Sequence, residues 1–96
     1  MKAYLVLDFS INDFVGFKKY IAEIPPFIAK HSGQYIVRGV EPMIIEDDWK
    51  PERVVILEFT ERAKAEAFLG DPEIQELFKV RHDMTTGKLI LVDGCT

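Results

Sequence analysis

Along residues 2–9 apolar side chains fill alternate positions. Ala3, Leu5, Leu7 and Phe9 lie on one face, and Tyr4, Val6 and Asp8 on the other. A period of two predicts a strand, here one with both faces largely apolar. The period then lengthens. Phe14, Phe17, Ile21, Ile24 and Ile28 recur at helical spacing with Tyr20 beside them, behind Asn12 as a candidate N-cap and Asp13 in the first turn. Pro25 lacks an N–H and crowds the carbonyl of Ile21, so the spacing predicts a kink or two helical pieces, closed by Gly33. "QYIVRGVEPMIIE" predicts a long second strand, with Gly39 and Pro42 marking a bulge or an edge position. "DDWKP" supplies turn residues, and "RVVILEF" is a nearly continuous apolar run that predicts a central third strand. Thr60 can cap a further helix with an apolar stripe of Ala63, Ala67 and Phe68, ended by Gly70. Asp71-Pro72 restarts helix, lined by Ile74, Leu77, Phe78 and Arg81, before "TTG" and a fourth strand in "KLILVD".

With right-handed crossovers this order predicts a ferredoxin-like βαββαβ plait. It is an α+β fold of one domain over residues 1–96, a four-stranded antiparallel-type sheet with helices on one face. Strands one and three are expected to be central neighbours running parallel. The other face of the sheet stays open, yet its residues are apolar, and a large apolar face must be covered. The economical cover is a second copy of the chain, giving a face-to-face homodimer.

Composition narrows the partners. A chain of 96 residues holds one small domain whose core alone is marginal, which favours extra burial by association. The net charge of −4 opposes binding to nucleic acid or to an anionic membrane, since both need a positive field. Cys95 is the sole cysteine, so internal disulfides and paired-thiolate metal sites are excluded, and a reducing, cytoplasmic setting is expected. The opening "MKAYLVLDFS" is interrupted by Asp8 and reads as a strand, not a signal peptide. No run approaches the ~18 apolar residues of a membrane span.

Several stretches together resemble a known family. They are "HSGQYIVRG" (His31, Gly33, Tyr35, Arg38, Gly39), "IEDDWKPERVVILEF" (Glu46, Trp49, Pro51, Arg53, Glu58, Phe59), "DPE", Arg81 and the closing "LVDG". The chain resembles the dimeric α/β-barrel superfamily and, within it, the domain-of-unknown-function family thirteen-thirty. It departs from that family's usual pattern at Ser32 and Asp47, where glycines are usual, and at Ile74, where an aromatic is. The resemblance implies a ferredoxin-like dimer without an assigned reaction. The superfamily includes cofactor-free monooxygenases, muconolactone-type isomerases and haem enzymes.

The candidate chemistry starts from Asp8, Glu58 and Arg38. If the first and third strands run the same way, their terminal carboxylates approach each other beside one arginine. Such a pair is a candidate general base with a cationic clamp, or a structural ion pair that sets register. His31, at a helix end, is a candidate acid or base, or a histidine held by the helix dipole. Tyr35, Arg38 and Arg81 are candidate substrate-binding groups; Arg53 and Arg81 also suit rim ion pairs. Trp49, in a charged turn, is read as an assembly anchor or as the lining of a ligand entrance. Neither His31 nor His82 has an acid or cysteine at ligand spacing, so no metal or cofactor is expected. The expected protein is a homodimer with a cavity between each sheet and its covering elements. Its partner is a small anionic or carbonyl-bearing ligand, bound by a cofactor-independent enzyme (isomerase or monooxygenase-like). The alternative is a non-enzymatic binding, stress-related or structural dimer.

Overall fold

A computed structural model describes residues 1–96. The elements are β1 (Ala3–Ile11), α1 (Phe14–Glu23), α2 (Pro25–Lys30), β2 (Gly33–Val40), β3 (Arg53–Phe59), α3 (Arg62–Gly70), α4 (Gln75–Met84) and β4 (Thr85–Asp93). The strands form one four-stranded sheet in the order β2-β3-β1-β4. This is the expected ferredoxin-like plait.

Every pairing in the sheet is antiparallel, including β1 with β3, which corrects the expectation of parallel central strands. The reason lies in the connections. The α1–α2 crossover returns β2 in the direction of β1, and the 41–52 loop then reverses the chain into β3, which slots between them. β3 must therefore oppose both.

The prolines divide the first helix as expected, whereas the N-caps of α1 and α3 differ from expectation. Pro25 begins α2 one residue after α1 ends, so the proline pair divides the helix into two pieces. The α1 cap is Asp13 rather than Asn12: Asp13 Oδ1 accepts the Gly16 N–H at 3.0 Å. Glu61, not Thr60, precedes α3, and it makes no side-chain capping bond. The buried residues of α3 are Ala65 and Phe68, not Ala63 and Ala67. Asp71 behaves as a cap for the turn before α4, its Oδ1 accepting the Glu73 N–H at 2.9 Å.

β2 stops at Val40, much earlier than its apolar run suggested, and it is an edge strand with register shifts near Tyr35 and Arg38. Gly39 has φ +76, the left-handed conformation glycine adopts without penalty. Ser32 and Asp47 are the non-glycine residues with positive φ, 63 and 69. Both stand where the resemblance leads one to expect glycine. Gly33 opens β2 rather than capping α2, and a Cβ there would lie 2.7 Å from the Phe59 ring.

The sheet has two contrasting faces. On the helix-covered face, Ala3, Leu5, Leu7 and Phe9 of β1 and Leu57 and Phe59 of β3 are buried. On the other face, register aligns three rows across the strands. The middle row is Val37–Ile56–Val6–Ile90. It is bounded by Gln34–Glu58–Tyr4–Val92 on one side and Val40–Val54–Asp8–Lys88 on the other. Ile90 remains 56% exposed, as expected for an uncovered apolar strip.

Beneath the helices the buried residues form two clusters rather than one. The larger contains Leu5, Ile24, Ile28, Leu57, Phe59, Ala65, Phe68, Ile74, Leu77 and Phe78. The smaller contains Leu7, Phe9 and Phe17. A small domain usually closes on a single contiguous core. The division marks where the helix layer leaves a space.

Candidate functional site

That space is a largely apolar cavity of about 240 Å³ between the sheet and the helices. It lies just below the usual range for ligand sites, roughly 300–1,000 Å³. The floor is the inward row of the strands, including Leu5, Leu7, Phe9, Val55 and Leu57. Phe17, Tyr20 and Ile21 of α1 and Phe78 and Arg81 of α4 wall it. Both core clusters contribute lining residues, so the cavity lies in the gap between them.

Its ionisable lining is of one kind. Arg38, Arg53 and Arg81 line it, with the phenols Tyr20 and Tyr35, and no carboxylate, imidazole or thiol does. Contacts join some of these groups to their neighbours. Arg53 Nη1 donates to the Gly39 carbonyl at 3.2 Å, next to Arg38. The Arg38 guanidinium sits 4.5 Å from the centre of the Tyr35 ring. Burial pushes the Tyr20 hydroxyl up to about 12, against the opposing pull of Arg81. Burial also raises Tyr35, opposed by Arg38. Both phenols are therefore protonated hydrogen-bond donors at neutral pH.

The expected carboxylate pair does not form. With β1 and β3 antiparallel, Asp8 aligns with Val54 and Glu58 with Tyr4, at opposite ends of the shared ladder. Nor does Arg38 meet Glu58. The early end of β2 aligns Arg38 with Val55, which places it on the cavity face. Glu58 instead lies on the uncovered face. There it accepts from Gln34 Nε2 at 3.0 Å and from the Tyr4 hydroxyl at 3.2 Å, and pairs with Lys2 at 3.4 Å. The Gln34 hydrogen bond is the chief reason its carboxyl is held below the usual range. Asp8 accepts the Trp49 indole N–H at 2.9 Å, so the end of the 41–52 loop folds over the uncovered face. Trp49 itself is 66% exposed.

His31 caps the end of α2 outside the cavity lining. Its Nε2 lies 2.7 Å from Asp71 Oδ2, and Lys30 Nζ reaches the same oxygen at 2.9 Å. Asp71 is 7% exposed, and its carboxyl is held well below the usual range, first by Lys30, then by His31 and the Glu73 N–H. This cluster ties the end of α2 to the turn between α3 and α4. No three His, Cys, Asp or Glu side chains converge as a metal site requires. Of the residues singled out from sequence, Tyr35, Arg38 and Arg81 meet at the cavity, while Glu58, Asp8, His31 and Trp49 lie elsewhere.

Arg53, Tyr20 and Asp71 carry more of the geometry than sequence reasoning assigned them. Arg53 was legible: counting back by twos from Leu57 gives Val55 and Arg53, all on one face. Asp71 gave no signal beyond its place before Pro72, because its partners Lys30 and His31 are distant in sequence.

Residues 2–95 match the family described as "Domain of unknown function (DUF1330)". The chain belongs to that family. Among solved structures, this DUF1330 protein is similar to a protein of unknown function from Rhodopseudomonas palustris. The TM-score is 0.79 at 15% identity, over 99% of this chain and 83% of that one. It is also similar to SnoaB, a cofactor-independent oxygenase from Streptomyces nogalater, with TM-score 0.69, 19% identity, and 99% and 94% of the two chains covered. A dimeric ferredoxin-like protein of unknown function from Bacteroides fragilis matches with TM-score 0.57 at 12% identity, covering 97% and 96%. No curated protein matches the DUF1330 chain. At these identities the structural likeness carries the fold alone. No helix of the protein is long and apolar enough to cross a membrane.

Proposed function

We propose that this DUF1330 protein is a homodimer that binds a small, mainly apolar molecule in the cavity between sheet and helices and acts on it without a cofactor. The observation that carries the reading is the cavity itself, where the core divides in two and leaves an apolar space ringed by donors. The fold it shares with a cofactor-independent oxygenase supports the chemistry. Arginine and neutral tyrosine donors around an apolar space suit stabilisation of negative charge that develops on a bound molecule. The uncovered face supports the dimer. Its Val37–Ile56–Val6–Ile90 row would meet the same row of a second copy, with Trp49 near the rim. Dimeric assembly of the Bacteroides fragilis neighbour accords with this.

A second reading, binding without turnover, has its own support: no side chain that serves as a general base at neutral pH lines the cavity. On that reading the Glu58 and Asp8 contacts only stabilise the fold.

Native mass spectrometry of the protein purified from its own host tests the proposal. The expected result is a dimer carrying a small molecule, with Val55→Trp, which fills the cavity, losing the molecule but keeping the dimer. An empty native protein, identical in mass to the Val55→Trp variant apart from the substitution, would overturn it. Incubation of the recovered molecule with fresh protein then separates the two readings, since only an enzyme converts it.

A further inference from the structure

The charge balance around the cavity carries a sharper statement. The chain has 16 Asp and Glu against 12 Lys and Arg, so carboxylates are in excess. Its ion pairs are Lys2 with Glu58, Lys30 with Asp71 and Glu73, His31 with Asp71, and Arg62 with Glu66 and Asp93. None involves Arg38, Arg53 or Arg81. The three arginines that line the cavity are thus the ones left without a carboxylate partner. A solvated arginine needs no partner. These three, however, line one apolar cavity: Arg38 and Arg53 are exposed and Arg81 half-buried, so they stand at its edge, where a carboxylate whose apolar part fills the cavity can meet unpaired guanidinium groups.

We propose that the cavity selects a small apolar carboxylate, with its carboxylate group held by Arg38, Arg53 and Arg81, over the neutral carbonyl or phenolic analogue of the same shape. The proposal rests on the reading of the cavity as a ligand site. The guanidinium fork matches a carboxylate with two parallel N–H···O bonds. The hydroxyls of Tyr20 and Tyr35 add neutral donors beside them. The behaviour of Tyr20 separates the ligand classes. It is a phenol in this cavity, and burial there raises it above its ordinary value despite the pull of Arg81, so the site works against ionisation of a phenol. A phenolic or enolic ligand of ordinary acidity faces the same burial cost. A carboxylic acid is already ionised in water at neutral pH and arrives with the charge the arginines accept. The apolar lining, including Leu7, Phe9, Phe17 and Val55, then takes the ring or chain that bears it.

Matched probes test this. 2-Naphthoate and 2-naphthamide have the same ring and nearly the same outline, and differ in charge. Calorimetric titration of the wild-type dimer should show 2-naphthoate bound at least about tenfold more tightly, with the preference shrinking as salt is raised. Arg81→Gln should cost 2-naphthoate about tenfold in affinity and leave 2-naphthamide unchanged within about twofold. Arg38→Gln should act in the same direction, and circular dichroism confirms that each variant is folded. Equal affinity for the two probes, or an arginine substitution that weakens both alike, would overturn the proposal while leaving the cavity as a ligand site. Binding of neither probe would overturn both.

Discussion

The two faces of one sheet treat charge in opposite ways. On the uncovered face, Glu58 is satisfied by Gln34, Tyr4 and Lys2, and Asp8 by Trp49. On the helix-covered face, Arg38, Arg53 and Arg81 border an apolar cavity and none has a carboxylate partner. β3 supplies a member of each set from opposite faces, Glu58 and Arg53, while β1 supplies Asp8, β2 supplies Arg38 and α4 supplies Arg81. A charged side chain at a strand end is therefore a poor guide to chemistry until its face and partners are known. Where neighbours already complete its hydrogen bonding, it serves register and assembly. Where it borders an apolar space and no carboxylate pairs with it, as for Arg38, Arg53 and Arg81, it is open to the ligand contact proposed above.

Substitutions can pull the two faces apart. The largest effect should come from the covered face. Phe59 is fully buried, its ring tilted against Phe68 at 5.4 Å, and Phe68 in turn meets Phe78 edge-to-face at 5.4 Å. Phe59→Ala should cost ~3–5 kcal/mol of folding stability, read by urea denaturation. A loss below ~1 kcal/mol would mean that this aromatic cluster is not the centre of the core.

Ile90→Asp should act on the other face and spare the fold of the single chain, because Ile90 is exposed there. In the proposed dimer it places an unpaired charge in the apolar middle row. Dissociation should rise by on the order of 3 kcal/mol, a factor of ~100 or more, seen by sedimentation or light scattering on dilution. An unchanged dimer would place the interface elsewhere.

The smallest expected effect sharpens the contrast most. Glu58→Gln keeps the shape and the neighbours of the carboxylate but loses the pairing with Lys2. Its folded-state pKa lies below the unfolded value, chiefly through Gln34. The stability it contributes is therefore fully present above about pH 4.3 and is lost as pH falls through the lower folded value. Glu58→Gln should lower the melting temperature slightly at pH 7 and flatten that acid limb. Binding of 2-naphthoate should not change. Loss of ligand with a normal acid limb would return Glu58 to the functional site.

Much of this is legible in the amino-acid sequence alone. The two-residue period of Ala3–Phe9 and of Arg53–Phe59, the helical spacing of Phe17, Ile24 and Ile28, and the proline pair at 25 and 26 determined the elements and their order. Apolar residues on both faces of the strands likewise determined that the sheet has an uncovered apolar side. These are local consequences of side-chain period and backbone sterics, and they read directly from spacing. Strand direction and register are not local. β2 gives way to the 41–52 loop before Met43, Ile44 and Ile45, which stay exposed, and an apolar run alone does not mark that point. Because a one-residue error in register exchanges the two faces of a strand, only the tertiary structure decided that Arg38 belongs to the cavity and Glu58 does not.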